Sequence, residues 1–361
     1  MSAPPLLDLH HLGHRQTGNE SWARSLAAAL LERDGPGSYD IAVTSSAPPE
    51  DLAQLPARER VVVSGSSSRR LALDLPAAMR RLRTPSVLVQ YTVPVTRVPA
   101  VVAVHDLSFE DPRAAEWLPL ATRLRYRTTI RASVRRASHV IVDSEYTRTD
   151  LMDRYGVAPD RVTVVPLAVE PRFAEVLRTT PEDRGGRATV LVVGNVLPRK
   201  NLPVAARAVR LLRDRGQDIV LRVVGTVHPT GRRDAAEVQR LLGDAVTLTG
   251  YLTREELARE LRSAHVLTFP SLFEGFGIPV LEAMAAGLPV VVSDRTSLPE
   301  VAGGAGLVVP AENVEAWADA LRHALQPSEH VRLVAAGHQR VRGFTWDAAA
   351  ITVGRLLGGL P

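Results

Sequence analysis

Glu274-Gly275-Phe276-Gly277-Ile278-Pro279-Val280-Leu281-Glu282 is the stretch on which the reading of this chain turns. The apolar run before it, residues 264–269, is interrupted by His265 and Thr268 and reads as a buried strand. Two glycines then relax the backbone, and Pro279 stands where a first helical residue is expected. Gly287 and Pro289 stop that helix early, and Val290-Val291-Val292 opens the next strand. Strand, glycine loop and helix in this order aim backbone N–H groups and the positive end of a helix dipole at an anion. Glu274 and Glu282 bracket that place. As carboxylates they are poor phosphate ligands and good hydroxyl acceptors, and an acid one turn into such a helix can hold a ribose diol. The stretch therefore reads as a socket for a nucleoside diphosphate carrying a sugar. The plainer reading is a βα turn whose Glu282 complements the dipole, and spacing alone balances the two.

The 361 residues suggest two domains, each large enough for its own core. Hydrophobic residues make up 45% and charged residues 23%, a globular balance. The absence of cysteine removes disulfides, thiolate metal sites and cysteine nucleophiles. No charged-then-apolar leader and no spanning apolar run is visible, so a cytoplasmic protein is expected, with any membrane contact peripheral. Net charge is only +5, from 44 basic against 39 acidic residues, which is no nucleic-acid signature. Lys200 is the sole lysine, and every other basic residue is arginine. A compact ammonium kept at one position against so strong an arginine bias points to a site role.

In chain order, residues 4–9 read as a first strand, followed by a loop with Gly13 and Gly18 and an amphipathic helix over about 19–33. Short apolar strands recur at 41–44, 61–63, 86–89 and 101–104, then at 140–142 and 162–165, with helical stretches between several of them. This alternation predicts a parallel, doubly wound sheet. One strand ends on His105-Asp106. A lone histidine is more often a satisfied structural residue, and the place at a strand's carboxyl edge evens the odds. The helical stretch 117–139 carries Arg123, Arg125, Arg127, Arg131, Arg135 and Arg136 without an acid. It reads first as a solvated face and second as a surface drawn to anionic lipid or an acidic acceptor. Ser144 is expected to cap the next helix.

Residues 171–188, with Pro171, Pro181, Gly185 and Gly186, read as the linker between domains 1–170 and 189–342, and 343–361 as a tail helix that could pack back across the cleft. Further strands are expected at 189–193, 220–224, 246–248, 266–269, 290–292 and 307–309. Thr253 and Ser297 each open a capping-box pattern. The expected fold is α/β: two Rossmann-like doubly wound domains facing each other across a cleft.

Gly194-Asn195-Val196-Leu197-Pro198-Arg199-Lys200-Asn201 follows the first strand of the second half, with Asn201 as an expected N-cap. Arg199 and Lys200 thus share the carboxyl edge with the glutamate loop. A departing diphosphate gains negative charge, and fixed cations aimed at it stabilise that transition state. No Asp-x-Asp pair of the kind used in metal-assisted transfer occurs in the chain. Protein cations would then do the metal's work.

With these residues in view, the chain resembles the retaining glycosyltransferases of family 4, which have the GT-B fold. Glu274 to Glu282 matches the family's E-x7-E motif, and Val193-Gly194 leads to Pro198-Arg199-Lys200-Asn201-Leu202. Residues 104–109 (VHDLSF), 140–145 (VIVDSE) and 297–301 (SLPEV) add support, and the match runs nearly end to end. The resemblance implies a nucleotide-sugar donor, no metal cofactor, and a glycan, glycolipid or small-molecule acceptor. It implies that Lys200, assisted by Arg199, contacts the diphosphate, and that amides of Gly275, Phe276, Gly277 and Ile278 hold the distal phosphate and sugar. Glu282 would bind the ribose, Glu274 the hexose hydroxyls, and His105 would face the donor sugar. Gly18 would approach the phosphates or the acceptor, and the base would lie near Gly225-Thr226 and Tyr251-Leu252. One departure stands out: Asn195 follows Gly194 where many members carry arginine.

The resemblance implies a retaining, front-face displacement, with mannose from GDP-mannose favoured. Two rivals remain: a sugar-nucleotide 2-epimerase of the same architecture, which needs an acid/base set around C2 that cannot be assembled here, and a non-catalytic nucleotide-sugar-binding protein.

Overall fold

The computed structural model describes residues 3–13, 17–178 and 186–360. It divides into two compact units: residues 1–110 with 121–167 and 345–361, and residues 111–120 with 168–344.

The first unit holds a seven-stranded sheet of β1 (Leu6–Asp8), β2 (Asp40–Val43), β3 (Arg60–Val62), β4 (Val87–Gln90), β5 (Ala100–Val104), β6 (His139–Val142) and β7 (Val162–Val164). The order is β3-β2-β1-β4-β5-β6-β7, and every pairing is parallel. Strands of three to five residues suffice because both faces are covered: β1, β2, β4 and β5 are buried along their whole length. The helix Thr17–Asp34 buries Trp22, Ala23, Leu26, Ala27 and Leu30. Against it packs the tail helix Trp346–Gly358, through buried Ala349, Ala350, Val353 and Leu357. Ser86 Oγ donates to the Leu357 carbonyl at 2.9 Å, tying the tail to the sheet.

The second unit holds a six-stranded parallel sheet: β8 (Ala188–Val193), β9 (Ile219–Val224), β10 (Val246–Gly250), β11 (Val266–Phe269), β12 (Val290–Ser293) and β13 (Leu307–Val309), in the order β10-β9-β8-β11-β12-β13. Its core gathers Val190, Leu221, Val223, Val266 and Val291 with Trp317, which is fully buried and donates its indole N–H to the Pro310 carbonyl at 3.1 Å. In both sheets the order reverses beside the first strand, between β1 and β4 and between β8 and β11. Loops leaving the carboxyl ends at such a reversal diverge and open a crevice, the usual ligand position in open α/β sheets.

Some local expectations are corrected. The arginine-rich helix runs Leu120–Arg136, and Pro112–Glu116 before it forms a short 3-10 turn capped by Asp111. Residues 111–120 cluster with the second unit. Inside the expected linker, Pro171–Leu177 is a helix, β8 begins at Ala188, and 179–185 lie outside the described residues. Thr253 does build a capping box, with Glu256 bonded back to its N–H. Ser144 caps Glu145–Tyr155 as expected. Ser297 and Asn201 do not cap, for reasons that belong to the site.

Candidate functional site

β8 ends at Val193, and Gly194 turns the chain at φ +135°. A Cβ at Gly194 would lie 3.3 Å from Lys200 Cε, so the bare backbone lets the lysine fold back across it. Lys200 ends the 3-10 turn Pro198–Lys200, and its Nζ donates to Glu274 Oε1 at 2.6 Å. The same nitrogen lies 4.8 Å from the centre of the Phe269 ring. Arg199 Nη1 stands 3.2 Å from Glu274 Oε2 and donates to the Phe273 carbonyl at 2.8 Å. Leu272 N–H in turn donates to the Arg199 carbonyl at 2.7 Å. The lysine loop after β8 and the glutamate loop after β11 are thus laced together at the strand-order reversal. Burial alone would push the Glu274 carboxyl up. Lys200 first, and Arg199 after it, override that and hold it down to about 2.

Asn201 stands at the N-cap position of the helix Leu202–Asp214 in a left-handed conformation at φ 52°, and its side chain makes no capping hydrogen bond. Its Nδ2 instead donates to the Pro270 and Ala311 carbonyls, at 3.3 and 2.8 Å. Ser297 Oγ likewise bonds the Glu274 and Phe276 carbonyls, both at 3.0 Å, and Thr296 Oγ1 accepts from Glu274 N–H at 3.0 Å. These polar side chains hold the glutamate loop from behind. After Gly275 and buried Phe276, Gly277 at φ +105° forms the N-cap of Ile278–Ala285, with Pro279 as its second residue, one later than expected. A Cβ at Gly277 would come within 2.7 Å of Leu298 Cδ2.

Glu282, on that helix, is 3% exposed. Sequence reasoning left its carboxylate open for hydroxyls, and the structure gives one oxygen to a partner: Arg254 Nη1 donates to Glu282 Oε1 at 2.8 Å. Arg254 Nη2 reaches Glu170 Oε2 at 3.2 Å, and the guanidinium lies 4.5 Å from the Phe173 ring centre. Burial pushes the Glu282 carboxyl up, against the pull of Arg254. Arg254 was missed because one arginine in an arginine-rich chain carries no signal; only its place just after Thr253 in the capping box could have marked it.

Gly225 and Tyr251 leave the neighbouring strand ends. Gly225 N–H donates to the Gly250 carbonyl at 2.9 Å, and a Cβ on Gly225 would fall 2.3 Å from the Gly194 carbonyl oxygen. Asn195 Oδ1 accepts from Thr226 N–H at 3.1 Å and from its hydroxyl at 2.9 Å, so the residue in the arginine position ties two loops together. Tyr251 is exposed and Leu252 half-buried. The structure therefore brings Gly194, Asn195, Arg199, Lys200, Gly225, Tyr251, Glu274 and Gly275 to the carboxyl edge of one sheet.

His105 and Gly18 belong to the first unit. His105 follows β5, with Nδ1 3.0 Å from Asp143 Oδ2 and Nε2 3.1 Å from Gln90 Oε1. Trp22 and Tyr91 meet its ring edge-on, at 4.9 and 5.3 Å between centres. Both ring nitrogens are engaged, and burial pushes the Asp143 carboxyl up. Gly18 is exposed in the first turn of Thr17–Asp34, while residues 14–16 before it lie outside the described residues. Among the described residues no group of three His, Cys, Asp or Glu side chains is placed to hold a metal ion, and no helix is long and apolar enough to cross a membrane.

Two doubly wound parallel-sheet units, with cations and carboxylates gathered at a strand-order reversal, define a GT-B architecture. Residues 17–173 match the profile of glycosyltransferase family 4 and residues 187–327 that of glycosyl transferases group 1. The chain belongs to the family-4 glycosyltransferases.

Similar proteins include an MMP α-(1→4)-mannosyltransferase of Mycolicibacterium hassiacum, 32% identical over 265 residues, 70% of this chain and 63% of that protein. An O-antigen chain mannosyltransferase B of Escherichia coli is 29% identical over 264 residues, 69% and 67% of the two chains. A D-inositol 3-phosphate glycosyltransferase of Kineococcus radiotolerans is 33% identical over 248 residues, 60% and 56%. The matched region spans from 51% to 67% of the length of these curated relatives and others like them. Among solved structures, sucrose-phosphate synthase from Thermosynechococcus elongatus superposes with TM-score 0.78 at 22% identity, over 99% of this chain and 98% of that one. HepE of Anabaena, solved with UDP and glucose, superposes with TM-score 0.71 at 16% identity, over the full length of both.

Proposed function

We propose that the protein is a retaining, metal-independent hexosyltransferase that takes its sugar from a nucleoside-diphosphate donor. The observation that carries the reading is the joining of Lys200, Arg199 and Glu274 at the reversal point of the second sheet. Lys200 and Arg199 stabilise the negative charge that grows on the diphosphate as the glycosidic bond breaks. Glu274, ionised through the neutral range, pre-positions both cations and presents its oxygens to sugar hydroxyls. Amides around Gly275, Phe276, Gly277 and Ile278 receive the distal phosphate at the helix start. Glu282 takes the ribose, with Arg254 beside it, and Gly225, Tyr251 and Leu252 border the base. His105 serves the sugar or the acceptor from the first unit.

Mannose is the favoured sugar, which the mannosyltransferases among the relatives support, and GDP is its proposed carrier. Those relatives also favour transfer over 2-epimerisation. The acceptor is a glycan, a glycolipid or a small hydroxylated molecule. We place the reaction in the cytoplasm, with the helix Leu120–Arg136 resting on anionic lipid through its arginines and exposed Leu120 and Leu124.

A thermal-shift panel of nucleotides and nucleotide sugars tests the donor assignment. GDP-mannose stabilising most supports it, and no response to any nucleotide sugar contradicts it. Full turnover in EDTA is expected, and a strict need for Mg²⁺ or Mn²⁺ would contradict the role given to the protein's cations.

A further inference from the structure

The donor chemistry leaves one buried cluster of the first unit unused. It lies where β1 ends, at the reversal between β1 and β4. Asp8, the last residue of β1, is 3% exposed and accepts from His10 N–H at 3.3 Å. Its Oδ2 lies 3.2 Å from His10 Nδ1 and 3.5 Å from Arg70 Nε, close enough to balance charge, yet neither nitrogen makes a hydrogen bond. Arg70 is 4% exposed and opens the π-helical turn Arg70–Asp74, an element that recurs at functional sites. Among the described residues nothing accepts a hydrogen bond from its guanidinium. Gln90, ending β4, gives Oε1 to His105 and leaves its buried Nε2 without a partner. His11 stands near these groups, its ring centre 3.9 Å from that of His10 and tilted 39° to it, and subject to the charges of His10, Asp8, His105 and Arg70.

A guanidinium carries five donors and no acceptor, and taking it out of water is costly unless those donors are filled. Asp8 holds the Nε edge without filling it. The planar fork that remains matches two oxygens of an oxyanion. We propose that Arg70, with the His10 ring beside the same Asp8 carboxylate, is a seat for phosphate, either a phosphate monoester on the acceptor or the free ion. The first source rests on the transferase reading above. Both place the seat in the first unit, apart from the donor cations of the second.

The test is isothermal titration of the full chain with inorganic phosphate and with glucose 6-phosphate, under saturating UDP or GDP so that the donor phosphate site is filled. At least one probe binds, Arg70→Ala weakens it tenfold or more, and Arg70→Lys weakens it less. Nucleoside-diphosphate affinity stays unchanged in both variants. Tighter binding of the sugar phosphate assigns the seat to the acceptor, and equal or tighter binding of inorganic phosphate assigns it to the free ion. Binding of neither probe, or equal binding to Arg70→Ala, overturns the proposal. If Arg70→Ala does not fold, Arg70→Lys and the His10 and His11 ring NMR shifts of the native chain decide, and no shift on adding phosphate overturns it. Phosphate held through Arg70 in a chain that transfers no sugar would sink the transferase reading alone.

Discussion

Gly194 and Lys200 depend on each other. The lysine side chain lies against a backbone that has no Cβ and stands at φ +135°. Gly194→Ala should cost about 1–3 kcal/mol in thermal unfolding from the backbone conformation alone. It should also raise the KM for the donor by displacing Lys200. Glu274 offers a second test at this scale. Its carboxyl, held down to about 2 by Lys200 and Arg199, lies below the ordinary 4.5. A depressed carboxyl contributes stability above the ordinary value and loses it as pH falls through the depressed one. Acid unfolding should therefore steepen between pH 4.5 and about 2, and Glu274→Gln should flatten that part of the profile. His11, kept neutral down to about 3 chiefly by burial, works in the same direction at higher pH. The unfolded chain binds a proton there that the folded chain does not, so stability should drop as pH falls from 6.5, and His11→Gln should reduce the drop.

The elements were legible where local chemistry decides them. The apolar runs gave the strands of both sheets within a residue or two, and Thr253 and Ser144 cap as their patterns predict. Ser297 and Asn201 carry equally good local patterns, but loop carbonyls of the glutamate segment claim their side chains. Such competition is tertiary and leaves no trace in spacing. Arg254 was hidden for the same reason, since its partners Glu282 and Glu170 are distant in sequence. The pair Lys200 and Glu274 was legible because the lone lysine and the glycine loop both mark strand ends. Ser297→Ala strips the donor from two loop carbonyls and should cost about 1–3 kcal/mol. Urea unfolding measures it, and an unchanged midpoint would mean the hydroxyl does not hold the loop.

At the scale of the molecule, the βα alternation predicts two doubly wound sheets, while strand order and the division of the tail do not follow from it. The tail helix completes the first unit by packing on Thr17–Asp34. Deleting residues 345–361 removes buried Trp346, Val353 and Leu357 and should cost on the order of 5 kcal/mol. Calorimetry should show the first unit melting early, with the second unit's nucleotide binding retained. The central claim concerns the second unit: its own cations neutralise the departing diphosphate. The most direct test is turnover of Lys200→Ala at saturating donor, in a variant that melts like the native chain. A fall of about 10²–10³-fold is predicted; turnover near the native rate would contradict the account.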